Sequence, residues 1–385
     1  MTYKDYLYSK AARQRVPLGG TFELSPVCNF SCHMCYVRKT RAELKRLGKK
    51  EITADQWIRM GKECRDAGML YLLLTGGEPF LYPEFRRLYE ALHEMGLLLI
   101  LNTNGTLIDE ETVEWLKDRA PSRVNITLYG ASRETYGRVC QNPDGFELAE
   151  RGITLLKEAG IHVVVTSSII PENKEDIQQI IEFAHSHGCQ ANIATYMFPP
   201  VRRERESSDS RLTAEESGRL NVLKQKYRLG DDKFIEAAQW MLDKLGAEAA
   251  QSDGDTWGTD TSREMQCRAG RSSFWINWEG KMTACGMMDF PVVCDPFQDG
   301  FLPCWEKITT EVRRQQVLKG CAGCTKTEIC HPCAAIMKAE TGSVNEKASY
   351  LCHMTEVSEQ VWREQLASME GRNNEQQEEK EEKKI

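Results

Sequence analysis

Residues 25–39 read SPVCNFSCHMCYVRK and set Cys28, Cys32 and Cys35 within eight positions, separated by three intervening residues and then two. A structural zinc site closes on four ligands, commonly two matched C-x2-4-C pairs. A triplet with no fourth member beside it instead describes a metal centre with one coordination position left open. Its surroundings say where that centre sits. An apolar run, GTFELS (20–25), stops where the triplet begins, and from there to about residue 198 such runs alternate with amphipathic helical stretches. The further runs are LYLLLTGG (70–77), LLLILNTNG (97–105), RVNITLYG (123–130), IHVVVTSSII (161–170) and ANIATYMF (191–198). Four of the intervening stretches end in glycines suited to a helix C-terminus, Gly68, Gly96, Gly160 and Gly188. Alternation at this spacing predicts right-handed βαβ units and a parallel sheet. Six strands predict an α/β fold built on a partial (β/α)6 TIM-like barrel rather than the complete eight-fold one. In such a barrel the active-site residues sit on loops after the strands, and the triplet is in such a loop.

The rest of the chain divides by composition. Residues 1–19 are a short lead, 20–200 the barrel and 201–262 a helical linker opening with the polar VRRERESSDS (201–210). Residues 263–355 form a smaller cysteine-rich domain with short strands expected in SSFWINWEGKMTAC (272–285). From 356 to 385 a helix runs out into NNEQQEEKEEKKI, whose charge and low complexity predict a solvated tail. The formal charge of -7 leaves no basic field for nucleic acid. The first residues, MTYKDYLYSKAARQ, lack an apolar signal region, and no stretch reaches membrane-spanning length, so a cytoplasmic protein without a membrane partner is expected. Fifteen cysteines then stand in a compartment that keeps thiols reduced, and an odd number argues for metal rather than disulfides. Three lie in the triplet and nine between Cys267 and Cys352, while Cys64, Cys140 and Cys189 read as small buried hydrophobes.

C-x3-C-x2-C after a first strand, with Tyr36 beside the last cysteine, resembles the signature of the radical S-adenosylmethionine enzymes. So does LLLTGGEPFL, where Gly76, Gly77, Glu78 and Pro79 match that family's GGEP motif one strand later. The resemblance implies that Cys28, Cys32 and Cys35 hold a 4Fe-4S cluster whose free iron chelates S-adenosylmethionine. One electron then cleaves the sulfonium to a 5′-deoxyadenosyl radical. It also implies that the GGEP strand end receives the methionine ammonium, two glycines allowing close backbone approach and a carboxylate facing the charge. Further cofactor contacts implied in the same way are Asn104 of NTNG, Thr127 of NITLYG at the ribose, and Ser167 or Ser168 on strand five.

The second cysteine group, Cys267-x12-Gly280-x4-Cys285, then Cys321-x2-Cys324-x5-Cys330-x2-Cys333, then Cys352, resembles the SPASM extension of peptide and protein maturases. That resemblance implies two auxiliary 4Fe-4S clusters, three in all. The outer one is held by Cys321, Cys324, Cys330 and Cys352, the inner one by Cys267, Cys285 and Cys333. An eighth ligand is open between Cys294, Cys304 and none; FLPCWEKI reads as an ordinary amphipathic helix, which favours Cys294. Ser273 stands where a related group carries a further cysteine. Gly286 stands where sulfatase-maturating relatives carry a catalytic aspartate; Asp289 is displaced from it, so no catalytic acid or base is assigned.

The function so implied is hydrogen abstraction from a peptide or protein, giving an oxidised or cross-linked product, with flavodoxin or ferredoxin as reductant. A small-molecule dehydrogenase acting on an amino sugar is the alternative within the chemistry, and a zinc-binding interaction protein the alternative outside it. The residues before the first strand are too few for a leader-gripping winged-helix domain, which assigns any leader recognition to the barrel, the extension or a separate protein.

Overall fold

The computed structural model describes residues 2–199, 210–246, 265, 267–322 and 324–382. The polar stretch 201–209 and the linker end at 247–264 lie outside the described residues. A capped helix, α1 (Tyr3–Gln14), precedes the first strand, so the lead is an element of the fold. The barrel strands are β1 (Gly19–Glu23), β2 (Tyr71–Thr75), β3 (Leu98–Thr103), β4 (Arg123–Thr127), β5 (Val163–Ser168) and β6 (Gln190–Ala194). Helices α2 (Arg41–Arg46) and α3 (Ala54–Asp66) follow β1, α4 (Phe85–Glu94) follows β2 and α5 (Glu110–Lys117) follows β3. Next, α6 (Arg133–Cys140) and α7 (Gly145–Glu158) follow β4, and α8 (Ile177–Ser186) follows β5. All four predicted glycine stops are present, each with positive φ.

All adjacent pairs from β6 to β1 are parallel. Successive strand residues point to opposite faces. One face, carrying Phe22, Leu72, Leu74, Leu99, Leu101, Val124, Ile126, Val163 and Val165, packs under the helices, with Phe22 4.7 Å from Trp57 of α3. The other face, with Thr21, Leu73, Ile100, Asn102, Asn125, Thr127 and Thr166, lines the lumen. Sequence order ends at β6, but the sheet goes on beyond β1. The cysteine-rich region supplies β7 (Ser273–Ile276), parallel to β1, and β8 (Met282–Thr283), antiparallel to β7. The strand order is therefore β6-β5-β4-β3-β2-β1-β7-β8, and the sheet stays open between β6 and β8.

Two helices, α9 (Ala214–Leu229) and α10 (Asp231–Gly246), occupy the described part of the predicted linker. After β8 come α11 (Pro296–Asp299), α12 (Phe301–Arg314), α13 (Thr327–Cys330), α14 (Ala334–Thr341) and α15 (Ser349–Glu382). The terminal helix begins at Ser349, earlier than the expected 356, which puts Cys352 in its first turn. Its first half is core rather than tail: Val361, Trp362 and Met369 bury against Val222, Phe234 and Ala238, and Phe234 stacks on Trp362 at 4.8 Å. Gly218 makes the approach of α15 to α9 close, since a Cβ there would stand 2.4 Å from the Met354 carbonyl oxygen.

Candidate cofactor and iron–sulfur sites

The loop between β1 and α2 carries the triplet at the upper, C-terminal end of the barrel. Its entry is fixed by the two glycines after β2. Gly77 N–H donates to the Ser25 carbonyl at 2.7 Å and Glu78 N–H to the Val27 carbonyl at 2.8 Å. A Cβ at Gly77 would lie 2.3 Å from the Val27 carbonyl oxygen; at Gly76, where φ is +150°, it would lie 2.4 Å from that of Ser25. The glycines therefore seat the cysteine loop, a role separate from the cofactor approach that the motif implies. The far side is tied to the end of α6, where Ser31 N–H donates to the Cys140 carbonyl (3.0 Å) and His33 N–H to that of Val139 (3.2 Å).

All three cysteines are half-buried thiols. Phe30 N–H already donates to Cys28 Sγ and Arg38 N–H to Cys35 Sγ, both at 3.3 Å. Amide donors of this kind stabilise thiolates and cluster sulfurs. Burial pushes the Cys28 thiol up to about 12. Cys32 is held below its ordinary value first by a hydrogen bond from the Cys140 thiol. Cys140 is fully buried, as expected, yet it touches the site, and only the packing of α6 against the loop reveals that. Three thiols on one loop, two of them with backbone donors in place, fit a cluster held by three cysteines.

Glu78 also has a structural role. Its carboxylate has no exposure and accepts from Thr103 Oγ1 (2.8 Å), the Asn104 N–H (2.8 Å) and the Phe80 N–H (3.2 Å). Burial raises its pKa to about 7 against the pull of those three donors. It is a strut between the ends of β2 and β3, and it positions Asn104. Asn104 in turn donates to Asn29 Oδ1 at 2.8 Å beside Cys28, while Asn29 donates to Thr106 Oγ1 at 2.8 Å. Glu78→Ala strips two buried donors and one part-buried donor of their acceptor, a buried one costing about 1–3 kcal/mol when left unpaired. The expected loss is about 3 kcal/mol or more, with Glu78→Gln milder because one carbonyl acceptor remains. Thermal unfolding together with iron retained after reconstitution measures it; a Glu78→Ala protein matching wild type in both refutes the strut.

Around the upper lumen, Thr127 Oγ1 lies 3.2 Å from Thr166 Oγ1 across β4 and β5. Ser167 does not join them. Strand alternation puts it on the helix-facing side with Val163 and Val165, 3 % exposed, so between the two serines it is exposed Ser168 that shares the face of Thr166. Tyr36 packs with Val27, Val37 and Trp278 of the cysteine-rich region against the loop's outer side, and Pro79 is buried at the start of the turn after Glu78.

Electrostatic neighbours can be named within the second cysteine group. Cys285 lies within electrostatic reach of Cys333 and Cys267, and burial pushes its thiol up to about 11. Cys330 stands with Cys352, Cys321 and Cys324 in the same way. Cys294 has different neighbours. Its backbone pairs with Met282 in both directions, and its buried thiol points at Cys304 on α12, 4.0 Å from that carbonyl. Cys294 and Cys304 thus form a separate thiol pair, and the inner set has three described cysteines. Among the described residues no three such side chains converge tightly enough for a single ion. A four-iron cube is wider than one ion and takes its thiolates further apart.

Residues 22–184 match the Radical SAM superfamily. The AdoMet-dependent heme synthase of Methanosarcina barkeri is 25% identical over 341 residues, covering 86% of this chain and 94% of the relative. The sporulation killing factor maturation protein SkfB of Bacillus subtilis is 23% identical over 277 residues, 72% of this chain and 62% of the relative. In fold, Streptococcus suis SuiB bound to precursor peptide SuiA has TM-score 0.66 at 17% identity, covering 91% of this chain and 80% of that one. Native anSMEcpe with bound AdoMet also has TM-score 0.66, at 16% identity, covering 92% of this chain and all of that one. Residues 22–184 form a domain of the radical SAM superfamily, and the cysteine-rich region follows it in a fold that SuiB and anSMEcpe share.

Proposed function

We propose that this protein oxidatively modifies or cross-links a peptide or protein substrate held in the barrel lumen, using three 4Fe-4S clusters. The observation that carries the reading is the placing of two cysteine sets about one lumen. The triplet stands above the upper strand ends, while Cys285 of the inner set lines the cavity at the lower end. An oxidised product requires an electron to leave the substrate, and a cluster on Cys267, Cys285 and Cys333 would stand beside it as acceptor. When bound, S-adenosylmethionine and the first cluster supply one-electron hydrogen abstraction. The chain's own residues do the holding: Asn104, positioned by Glu78, together with Thr127, Thr166 and Ser168, presents polar groups to the cofactor. We assign the entry of an extended chain to the side where β6 and β8 leave the sheet unclosed. A flavodoxin or ferredoxin supplies the starting electron.

A second reading is modification of an iron porphyrin. It is favoured by the heme synthase similarity, which spans 94% of that relative. Anaerobic incubation with S-adenosylmethionine, reduced flavodoxin and either a peptide library or Fe-coproporphyrin III separates the two. The peptide reading requires peptide-stimulated 5′-deoxyadenosine with loss of two hydrogens from a peptide's mass. Stimulation by the porphyrin alone rejects it.

A further inference from the structure

The lower end of the lumen, away from the cysteine triplet, is a cavity of about 320 Å³. Thr21, Leu73, Ile100 and Trp275 form its strand walls, and Cys285 and Arg268 border it. Three cations gather there from distant parts of the sequence. Arg268 lies 3.8 Å over the ring of Tyr8, which closes the cavity from α1. Lys4, also on α1, has its ammonium 4.7 Å from the ring of Tyr71, another wall residue. Arg123 begins β4 directly opposite Ile100 in the ladder, so it shares the lumen face one strand further round. The Lys4 ammonium is held below its ordinary value by burial first and then by Arg123 and Arg268, which puts each guanidinium within electrostatic reach of Lys4.

The acidic complement is small. Asp5 pairs with Arg268 at 3.0 Å, on a side chain 44% exposed. Arg123 Nε is buried, and among the described residues it has no hydrogen-bond partner. A buried guanidinium N–H without an acceptor is costly, and its planar fork is shaped for a carboxylate.

We propose that the lower lumen is a carboxylate-binding subsite, in which Arg123, Arg268 and Lys4 hold an anionic group of the substrate. On the peptide reading above, on which this part rests, that group is an acidic side chain or the C-terminal carboxylate. The subsite also sets a distance. β1 has five residues, so the lumen is about 17 Å from end to end at roughly 3.3 Å per strand residue. An extended peptide covers that length in about five residues. The carboxylate therefore lies about five residues from the position that reacts beneath the triplet, and the anchored segment passes Cys285.

The test needs no knowledge of the substrate. The anaerobically reconstituted protein is labelled with phenylglyoxal, and the rate of modification at Arg268 is followed by peptide mass spectrometry. Glutarate is expected to slow labelling about tenfold at roughly ten times its dissociation constant, and neutral glutaramide leaves it unchanged. In Arg123→Gln the glutarate protection is lost while Arg268 still labels. Equal protection by glutaramide, absence of protection by glutarate, or full protection in Arg123→Gln overturns the subsite. Two peptides then name the source: N-acetyl-Ala-Glu-Ala amide protects if a side chain is recognised, N-acetyl-Ala-Ala-Ala with a free carboxylate if a C-terminus is. Protection by glutarate but by neither peptide upholds the subsite and counts against the peptide reading.

Discussion

With Cys28, Cys32 and Cys35 all changed to alanine, the anaerobically reconstituted protein keeps about two thirds of its iron, roughly eight of twelve atoms, and makes no 5′-deoxyadenosine. The two losses have one cause. These thiols share the loop after β1, two of them accept backbone N–H groups, and no other described cysteine but Cys140 touches them. Cys140 cannot stand in, because it ends α6 in the buried core and holds the loop through its carbonyl oxygen. Removing the triplet takes away the whole cofactor-cleaving centre, so turnover falls by at least about 10⁶-fold, the lower range of enzymatic acceleration. Iron analysis and chromatography of the cleavage product read the result. Any 5′-deoxyadenosine above the no-enzyme control means that cleavage occurs elsewhere. Cys140→Ala is the contrast: the backbone tie to Ser31 persists, and iron stays at the wild-type level.

The alternation of apolar runs and helices was enough for the six parallel strands, because in a doubly covered parallel sheet each strand is a nearly continuous apolar run. It placed short strands at 272–285 but did not reveal that β7 joins the barrel sheet beside β1. SFWI pairs with β1 from more than 250 positions away, and nothing local in its residues distinguishes a barrel-extending strand from a small separate hairpin. The cysteine sets were legible because spacing constrains ligands along the chain. Cys294 was less legible for the converse reason: a cysteine outside any pair is located only by what packs on it, here Met282 and Cys304. Ser167 and Ser168 show the same limit on a smaller scale. Parity along β5 decides between them, and parity needs the register that pairs Thr166 with Thr127. Glu78 was recognisable by its motif, but its hydrogen-bond partners at the end of β3 belong to the neighbouring strand, and only they show that it is also a buried strut.

Cys333→Ala and Cys294→Ala are expected to part widely, and that contrast examines the inner set. Cys333 lies with Cys267 and Cys285, and the cavity at the base of the lumen reaches Cys285. Its removal leaves two thiols for that cluster, too few to retain it, so about four of roughly twelve irons are lost. Because the triplet is untouched, S-adenosylmethionine is still cleaved, yet the substrate has no acceptor for its departing electron and oxidised product disappears. The signature is 5′-deoxyadenosine formed without product. Cys294→Ala leaves iron, cleavage and product at wild-type levels, since its thiol points at Cys304 and its backbone bonds to Met282 do not depend on the side chain. Its cost is packing alone, about 1 kcal/mol for a small buried side chain, visible as a modest fall in Tm. Should Cys294→Ala instead lose a third of the iron together with product, Cys294 is the fourth ligand and must leave Cys304 when the cluster loads. Loss of cleavage as well as product in Cys333→Ala would point the other way, to a lumen that collapses without its lower wall, and the electron-acceptor role of the inner set would fall with it.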